Sequence, residues 1–252
     1  MKPFLLLATR ADDAIADAEY QAFLRFGGLK ISELERVRLE AAPLAEQVPG
    51  LDLSEYSGVI IGGSPFTSSD PPGQKPPVQV RVEHELAQLI ADVLAQDRPF
   101  LGACYGIGTL GLQLGGVVDR TYGEPVSAVT VSLTDEGRAD PLLSGMPERF
   151  LAYVGHKEAL RRLPPGAVLL AGSTGCPVQM FRVGRHQYAT QFHPELDVPG
   201  IVARMRAYRN AGYFRPDELD ALIAQVSAAD VTWPSRILAN FTARYSGPPA
   251  IR

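Results

Sequence analysis

An apolar run that stops at Ala103 and resumes as a helix after a single cysteine organises this chain. Phe100-Leu101-Gly102-Ala103-Cys104-Tyr105-Gly106-Ile107-Gly108-Thr109 reads as a strand, a tight turn and a helix start. Ile107, Leu110 and Leu114 follow at helical spacing, with Gly111 as a close-packing position. A turn of this kind holds one side chain at its tip, and its neighbours must be small because only glycine tolerates strained backbone readily. A thiol at the tip lies at a helix N-terminus, where unpaired N–H groups and the helix dipole favour the thiolate. Cys104 is therefore the candidate nucleophile. The competing explanation is a buried, inert cysteine beside a packing turn, since free cysteine is among the most buried residue types.

The segments around this turn alternate strand and helix. Residues 4–8 read as a buried strand, 12–26 as a helix ending at Gly27-Gly28, and 34–39 as a weaker strand. Tyr56-Ser57-Gly58-Val59-Ile60-Ile61 is a buried strand that ends in Gly62-Gly63. Residues 64–77 form a polar, proline-rich loop, the kind that makes a lid or a domain edge. Val78, Val82, Leu86, Leu89, Ile90 and Val93 share one face of a helix that leads into the cysteine turn. Strand–helix–strand spacing of this kind predicts an α/β fold with a largely parallel sheet. Further strands are expected over 117–118, 126–133, 150–154, 168–171, 178–183 and 187–192, with 135–149 rich in turns. After Pro194 the pattern turns helical, with one helix carrying Ile201 to Tyr208, a second starting at Pro216 and a third near Pro234. No repeat or linker divides the chain. One domain is expected over 1–252, with a core over about 1–198 and a helical extension over about 199–252.

Composition narrows the function classes. With 252 residues and 46% hydrophobic content the chain can bury a large core. A net charge of −4 and the lack of any Lys/Arg block give no reason to expect nucleic acid. The apolar stretch near the N-terminus is too short for a signal h-region or a membrane span, and no other run is long enough to cross a bilayer. Cys104 and Cys176 read as reduced thiols of a cytoplasmic protein. No metal-ligand spacing and no Gly-Lys-Ser/Thr phosphate loop is seen, so no cofactor is expected.

Gln191-Phe192-His193-Pro194-Glu195 is the second informative stretch. In extended backbone His193 and Glu195 project to the same side, with Pro194 keeping the segment out of a helix. A histidine that donates one ring N–H to a carboxylate is fixed in tautomer and made a better base. Cysteine, histidine and carboxylate together follow the logic of acyl transfer through a covalent intermediate. By itself His-x-Glu is more commonly a solvated strand end than a site. Two such features at strand ends of one α/β sheet favour a site, because sites in these sheets collect at the carboxyl ends of strands. The backbone N–H groups of Tyr105 and Gly63 are candidate oxyanion donors, and Gly62-Gly63 lets substrate approach closely. The plainer reading of Gly62-Gly63 is a tight turn.

Gly102-Ala-Cys104-Tyr-Gly106, Gln191-Phe-His193-Pro-Glu195 and Ile61-Gly62-Gly63-Ser64-Pro65 together resemble the class I, triad-type glutamine amidotransferases, with nearest similarity to stand-alone glutaminases like that of GMP synthase. Gly155-His156-Lys157-Glu158 is similar to a histidine-containing loop of that family, which makes His156 a pocket candidate. The resemblance spans about residues 55–196. It implies a flavodoxin-like domain with a mostly parallel central sheet and helices on both faces. It implies Cys104 as nucleophile, His193 as general base and acid, Glu195 as its orienter, and Gly63 and Tyr105 as oxyanion donors. The implied reaction hydrolyses a side-chain amide of glutamine or a γ-glutamyl compound through a thioester, with ammonia passed to a separate synthase. One position departs from the family: the glutamine usual four residues after the nucleophile is Gly108 here. Gln113 cannot replace it, since at about 100° per residue it faces the other side of the helix. The departure opens a γ-glutamyl peptide or other γ-glutamyl amide as substrate.

Other readings compete. Gly106-Ile107-Gly108-Thr109-Leu110-Gly111 matches a dinucleotide-binding fingerprint, but it lies mid-chain, and Glu124, about 20 residues on, sits in a Gly/Pro turn rather than after a strand. A non-catalytic binding module on the same fold is opposed by the intact Cys104, His193 and Glu195. His84 and His186 read as exposed and Cys176 as structural.

Overall fold

A computed structural model describes residues 2–247. Phe4–Ala8 (β1) is buried along its whole length, as a strand covered on both faces must be. It pairs in parallel with Leu34–Arg38 (β2) on one side and Gly58–Ile61 (β3) on the other. Phe100–Ala103 (β4) follows parallel to β3. The connecting segments are Asp13–Gly27 (α1), Leu44–Gln47 (α2) and Pro77–Ala95 (α3). α1 starts where the Asp12 side chain accepts from the Ile15 N–H and stops at Gly28, whose φ of +63° ends the helix. The cysteine turn leads from β4 into Tyr105–Gln113 (α4).

The second half of the chain adds Val117–Asp119 (β5), Glu124–Leu133 (β6), Asp135–Ala139 (α5), Arg149–His156 (β7), Ala159–Arg162 (β8), Val168–Gly172 (β9), Met180–Val183 (β10) and Gln187–Thr190 (β11). β11 returns to the parallel half, beside β4. The main sheet runs β2-β1-β3-β4-β11-β10-β9-β6-β7, parallel over its first five strands and antiparallel beyond. β5 and β8 form a separate antiparallel pair. β8 escapes sequence reading because Ala-Leu-Arg-Arg has no alternation to mark it. The turn-rich stretch after Leu133 contains α5, capped by Thr134, whose hydroxyl accepts from the Gly137 N–H.

Val198–Ala207 (α6), Leu219–Ala228 (α7) and Pro234–Tyr245 (α8) close the fold. The second of these starts later than Pro216, because a 3-10 turn over Pro216–Glu218 precedes it. β1 shows how the two sheet faces are filled. Phe4 and Leu6 enter one cluster with Phe23 of α1 and Ile237, Leu238 and Phe241 of α8. Leu5 and Leu7 enter the other, with Val82 and Ile90 of α3 and Ile107 of α4. Each fully buried side chain of this size stabilises the fold by about 1.5–3 kcal/mol. A third cluster joins Val126 and Tyr153 to Ile201 and Met205 of α6 and Val226 of α7.

The layout brings the carboxyl ends of β1, β3, β4 and β11 to one rim, where Arg10, Gly62-Gly63, Cys104 and Gln191 begin their loops. No helix among the described residues is long and apolar enough to cross a membrane. The rim is set by a close approach between β4 and α4: a Cβ on Gly102 would fall 2.7 Å from the carbonyl carbon of Gly106. Gly102→Ala should therefore lower stability by about 1–3 kcal/mol, read as a shift in the midpoint of urea unfolding.

Candidate active site

Cys104 has φ +53° and ψ −87°, a conformation that β-carbons resist. Such strain costs about 1–3 kcal/mol and persists only where surroundings enforce it. Here the Cys104 N–H donates to Thr190 O at 2.8 Å and the Ile107 N–H to Cys104 O at 3.2 Å, so both sides of the turn are tied down. Gly106, inside the turn, packs its backbone on Ile61. The half-buried Cys104 is thereby held at the N-terminus of a nine-residue helix, with Tyr105 as its first residue. The N–H groups of that first turn have no partner within the helix.

β11 ends at Thr190, sooner than the run to Phe192 predicts. His193 and Glu195 meet across a turn at Pro194-Glu195 rather than on one strand face. The His193 N–H donates to Tyr153 O at 3.1 Å, which fixes the loop. Nδ1 of His193 lies 2.8 Å from Glu195 Oε1, with the two residues 6% and 0% exposed. A carboxylate only accepts, so Nδ1 carries the proton and Nε2 is left to the cleft shared with Cys104.

A ladder of buried charge supports this pair. Arg204 of α6 donates Nη1 to Glu195 Oε1 at 2.9 Å and Nη2 to Glu19 Oε1 at 3.0 Å. Arg10, just past β1, donates Nε to the same Glu19 oxygen at 2.8 Å and Nη1 to the Tyr208 hydroxyl at 3.2 Å. Arg204 Nη1 also lies 3.1 Å from His193 Nδ1, but both are donors, so Glu195 Oε1 is their common acceptor. Burial opposes the charge on His193, yet the Glu195 carboxylate and then Cys104 outweigh it and push its pKa up to about 9. Burial likewise opposes the Glu195 charge, and His193 and Arg204 overcome it, holding its carboxyl well below the usual range. Arg10 is raised: burial acts against its charge and Glu19 more than compensates.

Gly62 and Gly63 are needed for close approach, not for a positive φ. A Cβ on Gly62 would sit 2.9 Å from Glu19 Oε2, and one on Gly63 would sit 2.6 Å from Arg10 Nη2 and 2.7 Å from His193 Cε1. The loop after β3 thus lies directly on the charge ladder and the imidazole.

Cys104 stands between two clefts. One is lined by Phe66, Tyr105, Gly108, Val118, Glu158 and Gln191, among others. Glu158 is held there by the N–H groups of Ser68 and Ser69, each at 2.7 Å. A Cβ on Gly108 would sit in ordinary van der Waals contact, 3.9 Å from Glu158 Oε1, Ser68 Oγ and Val118 Cγ1. Gln191 Oε1 is buried without a partner. The second cleft is lined by His193, Arg10, Arg204 and apolar side chains. Tyr213, from the segment between α6 and α7, lines both. Burial, and then Cys104, push its hydroxyl up to about 12, and Lys157 Nζ lies 4.8 Å from its ring centre.

His156 lines the first cleft but is not free. Nδ1 faces Glu158 O at 2.9 Å and Nε2 faces Glu124 Oε2 at 2.9 Å. Glu124 also accepts from Gln179 Nε2 at 2.8 Å. Tertiary packing brings Cys176 to the same place, so donor atoms of Glu124, His156 and Cys176 fall within 4.8 Å of one another, a grouping that sequence spacing does not show. Imidazole and carboxylate are bound to each other, and burial pushes the Cys176 thiol up to about 12, so the group is a hydrogen-bonded brace under the His156 loop. His84 is exposed, as expected. His186 is not: it is half-buried, with Nδ1 3.0 Å from the Tyr245 hydroxyl, because α8 folds back over the hairpin.

Sequence reasoning misses Arg10, Glu19, Arg204, Tyr208 and Tyr213. Two had a signal. Glu19 interrupts the apolar stripe Ile15, Glu19, Phe23 of α1, and Arg204 shares the face of Ile201 and Tyr208 on α6. A charge on a buried stripe requires a partner.

The fold and rim define a mixed α/β protein with a mostly parallel sheet. A glutamine amidotransferase from Thermotoga maritima superposes with a TM-score of 0.76 at 20% identity, over 98% of this chain and all of that one. One from Methylobacillus flagellatus gives 0.68 at 19%, over 98% and 94%. At such identity these likenesses concern the fold. The family model for class I glutamine amidotransferases matches residues 23–199, and the chain belongs to that family. Among its relatives are the glutamine-hydrolysing GMP synthase subunits of Methanoculleus marisnigri, 27% identical over 68% of this chain and 84% of that protein, and of Ignicoccus hospitalis, 29% identical over 65% and 79%.

The His193 geometry has a consequence for stability. Its pKa of about 9 in the folded chain lies above the ordinary 6.5. The stabilisation is fully present below pH 6.5 and is lost as pH rises through about 9. Urea midpoints measured between pH 6 and 10 should fall over this window for the native chain and fall less for His193→Gln.

Proposed function

We propose that this chain hydrolyses the side-chain amide of glutamine or a γ-glutamyl compound through a thioester on Cys104. The observation that carries the reading is the buried His193–Glu195 pair at 2.8 Å, opening on the cleft that holds Cys104 at the head of α4. In the first step the thiol proton resides on His193 Nε2, held there near neutral pH by the pKa of about 9, and Sγ attacks the γ-carbonyl carbon. The oxyanion is received by the N–H groups of Tyr105 and Gly63. The carbon–nitrogen bond breaks as His193 returns the proton to the departing nitrogen, and the free amine or ammonia leaves. Water, deprotonated by His193, then adds to the thioester; the carbon–sulfur bond breaks and the acid is released. Glu195 keeps the imidazole in the required tautomer throughout. Arg204 and Glu19 are positioning residues. The reaction needs no cofactor.

Family membership and the GMP synthase relatives support glutamine as substrate, with the ammonia accepted by a separate synthase. On this reading residues 1–252 act as one glutaminase unit in the cytoplasm, where both thiols stay free. A second reading, a γ-glutamyl hydrolase without an ammonia acceptor, is favoured by Gly108, which stands where the resemblance leads one to expect glutamine.

Cys104→Ala should abolish ammonia release from glutamine and hydrolysis of γ-glutamyl amides, with an unchanged circular dichroism spectrum. A glutamine-analogue electrophile should modify Cys104 in the native chain, as read by peptide mass. Retained turnover in Cys104→Ala overturns the assignment. His193→Ala should cost several orders of magnitude in kcat, and Glu195→Gln rather less, by analogy with other triads.

A further inference from the structure

The departing nitrogen takes its proton from His193, which lines the second cleft. The leaving group therefore stands in that cleft, and the groups free to meet it there decide what it carries. Arg10 lines the cleft and is 4% exposed. Its Nε donates to Glu19 and its Nη1 to the Tyr208 hydroxyl, but Nη2 has no partner among the described residues. A Cβ on Gly63 would fall 2.6 Å from that Nη2 and 2.7 Å from His193 Cε1, so the two pack side by side on one glycine. Cε1 is bonded to Nε2. The free guanidinium N–H groups and the nitrogen that delivers the proton are thus within the span of one small molecule.

Tyr213 adds a second donor. It lines the same cleft, and its hydroxyl has no hydrogen-bond partner among the described residues. Burial, then Cys104, push its pKa up to about 12 while the Arg10 charge pulls the other way, so the hydroxyl stays protonated at neutral pH and lies in the field of both residues. Two unpartnered acceptors lie near by, but the leaving group does not meet them. Glu19 Oε2 and Glu195 Oε2 are both buried, and neither residue lines the cleft. Glu19 Oε2 is turned to Gly62, 2.9 Å from where a Cβ would stand. The charged group that the cleft presents unpaired is a guanidinium N–H, beside a hydroxyl, and a carboxylate is the acceptor that matches both.

We infer that the substrate is a γ-glutamyl α-amino acid, whose leaving residue sets its carboxylate on Arg10 Nη2 and the Tyr213 hydroxyl. This inference rests on the Cys104–His193 reading given above. An α-amino acid carries its carboxylate on the carbon next to its nitrogen, which suits a free guanidinium N–H standing next to the imidazole. The reaction consumes water and γ-glutamyl–NH–CHR–COO⁻. The γ-carbon–nitrogen bond breaks and a γ-carbon–oxygen bond forms. Glutamate and a free α-amino acid leave, the new amine having taken its proton through His193.

The test compares kcat/KM of the purified native chain for L-glutamine, γ-glutamylethylamide and γ-glutamylalanine, which differs from the second by one carboxylate. Release of ammonia, ethylamine or alanine is measured. γ-Glutamylalanine should exceed both others by about tenfold or more, the range for a hydrogen bond to a charged group. Tyr213→Phe should narrow the ratio of γ-glutamylalanine to γ-glutamylethylamide by about threefold or more, whereas a tyrosine that only shaped the cleft would lower both alike. Equal rates for those two amides overturn the inference, as does a preference for the ethylamide or for glutamine. An unchanged ratio in Tyr213→Phe overturns the assignment of the recognising groups. No cleavage of γ-glutamylalanine overturns the inference in every case. Glutamine turnover with labelling of Cys104 then leaves the thioester reading standing, whereas loss of both removes that reading as well.

Discussion

A single residue in a forbidding backbone conformation decides where everything else in the site must stand. Cys104 can keep a φ of +53° only because Gly102 and Gly106 allow strand and helix backbones to touch. The contact aims the side chain off the end of β4 and places the first N–H groups of α4 beside it. It also sets the angle at which α4 lies on the sheet, with Ile107 and Leu110 in the same cluster as Leu5 and Leu7. The strain is local, but the force that maintains it is the packing of a whole face.

The histidine is positioned by a different means. Its loop leaves the sheet at Thr190 and has little regular structure, so hydrogen bonds and charge replace packing. Glu195, Arg204, Glu19 and Arg10 come from four separate segments and alternate in sign. Removing one member would leave a neighbour charged and unpaired in a buried setting, a far larger penalty than the net value of the ladder itself. The ladder ties α1 and α6 to the site. It also explains Gly62 and Gly63, which are pressed against Glu19, Arg10 and the imidazole.

Between these two supports Cys104 and His193 divide the surrounding space. The first cleft sets the Glu158 carboxylate and Gln191 among apolar neighbours such as Phe66 and Val118. The second is walled by α6 and the segment that follows it, together with Val126 of β6 and Val154 of β7. The carboxyl-terminal helices have separate roles here. α8 completes the core against β1 and α1, while α6 and the residues up to Phe214 shape the second cleft.

Much of this was legible in the residues. The strand–turn–helix at Cys104, the glycine pair after β3 and the His-x-Glu segment are local patterns, dictated by what a few neighbouring residues can do, and they fixed the parallel half of the sheet and the three groups at its rim. The ladder was not legible as a network. Glu19 and Arg204 each break an apolar helical stripe, which signals a buried charge but not its partner, and those partners lie 185 and nine positions apart. The antiparallel half, the brace of Glu124, His156 and Cys176, and the apolar wall of the second cleft depend likewise on contacts between distant segments. Local sequence specifies which side chains a turn or strand end must present. Which charges and surfaces face them is settled only when the chain packs, because burial and pairing are properties of the assembled fold.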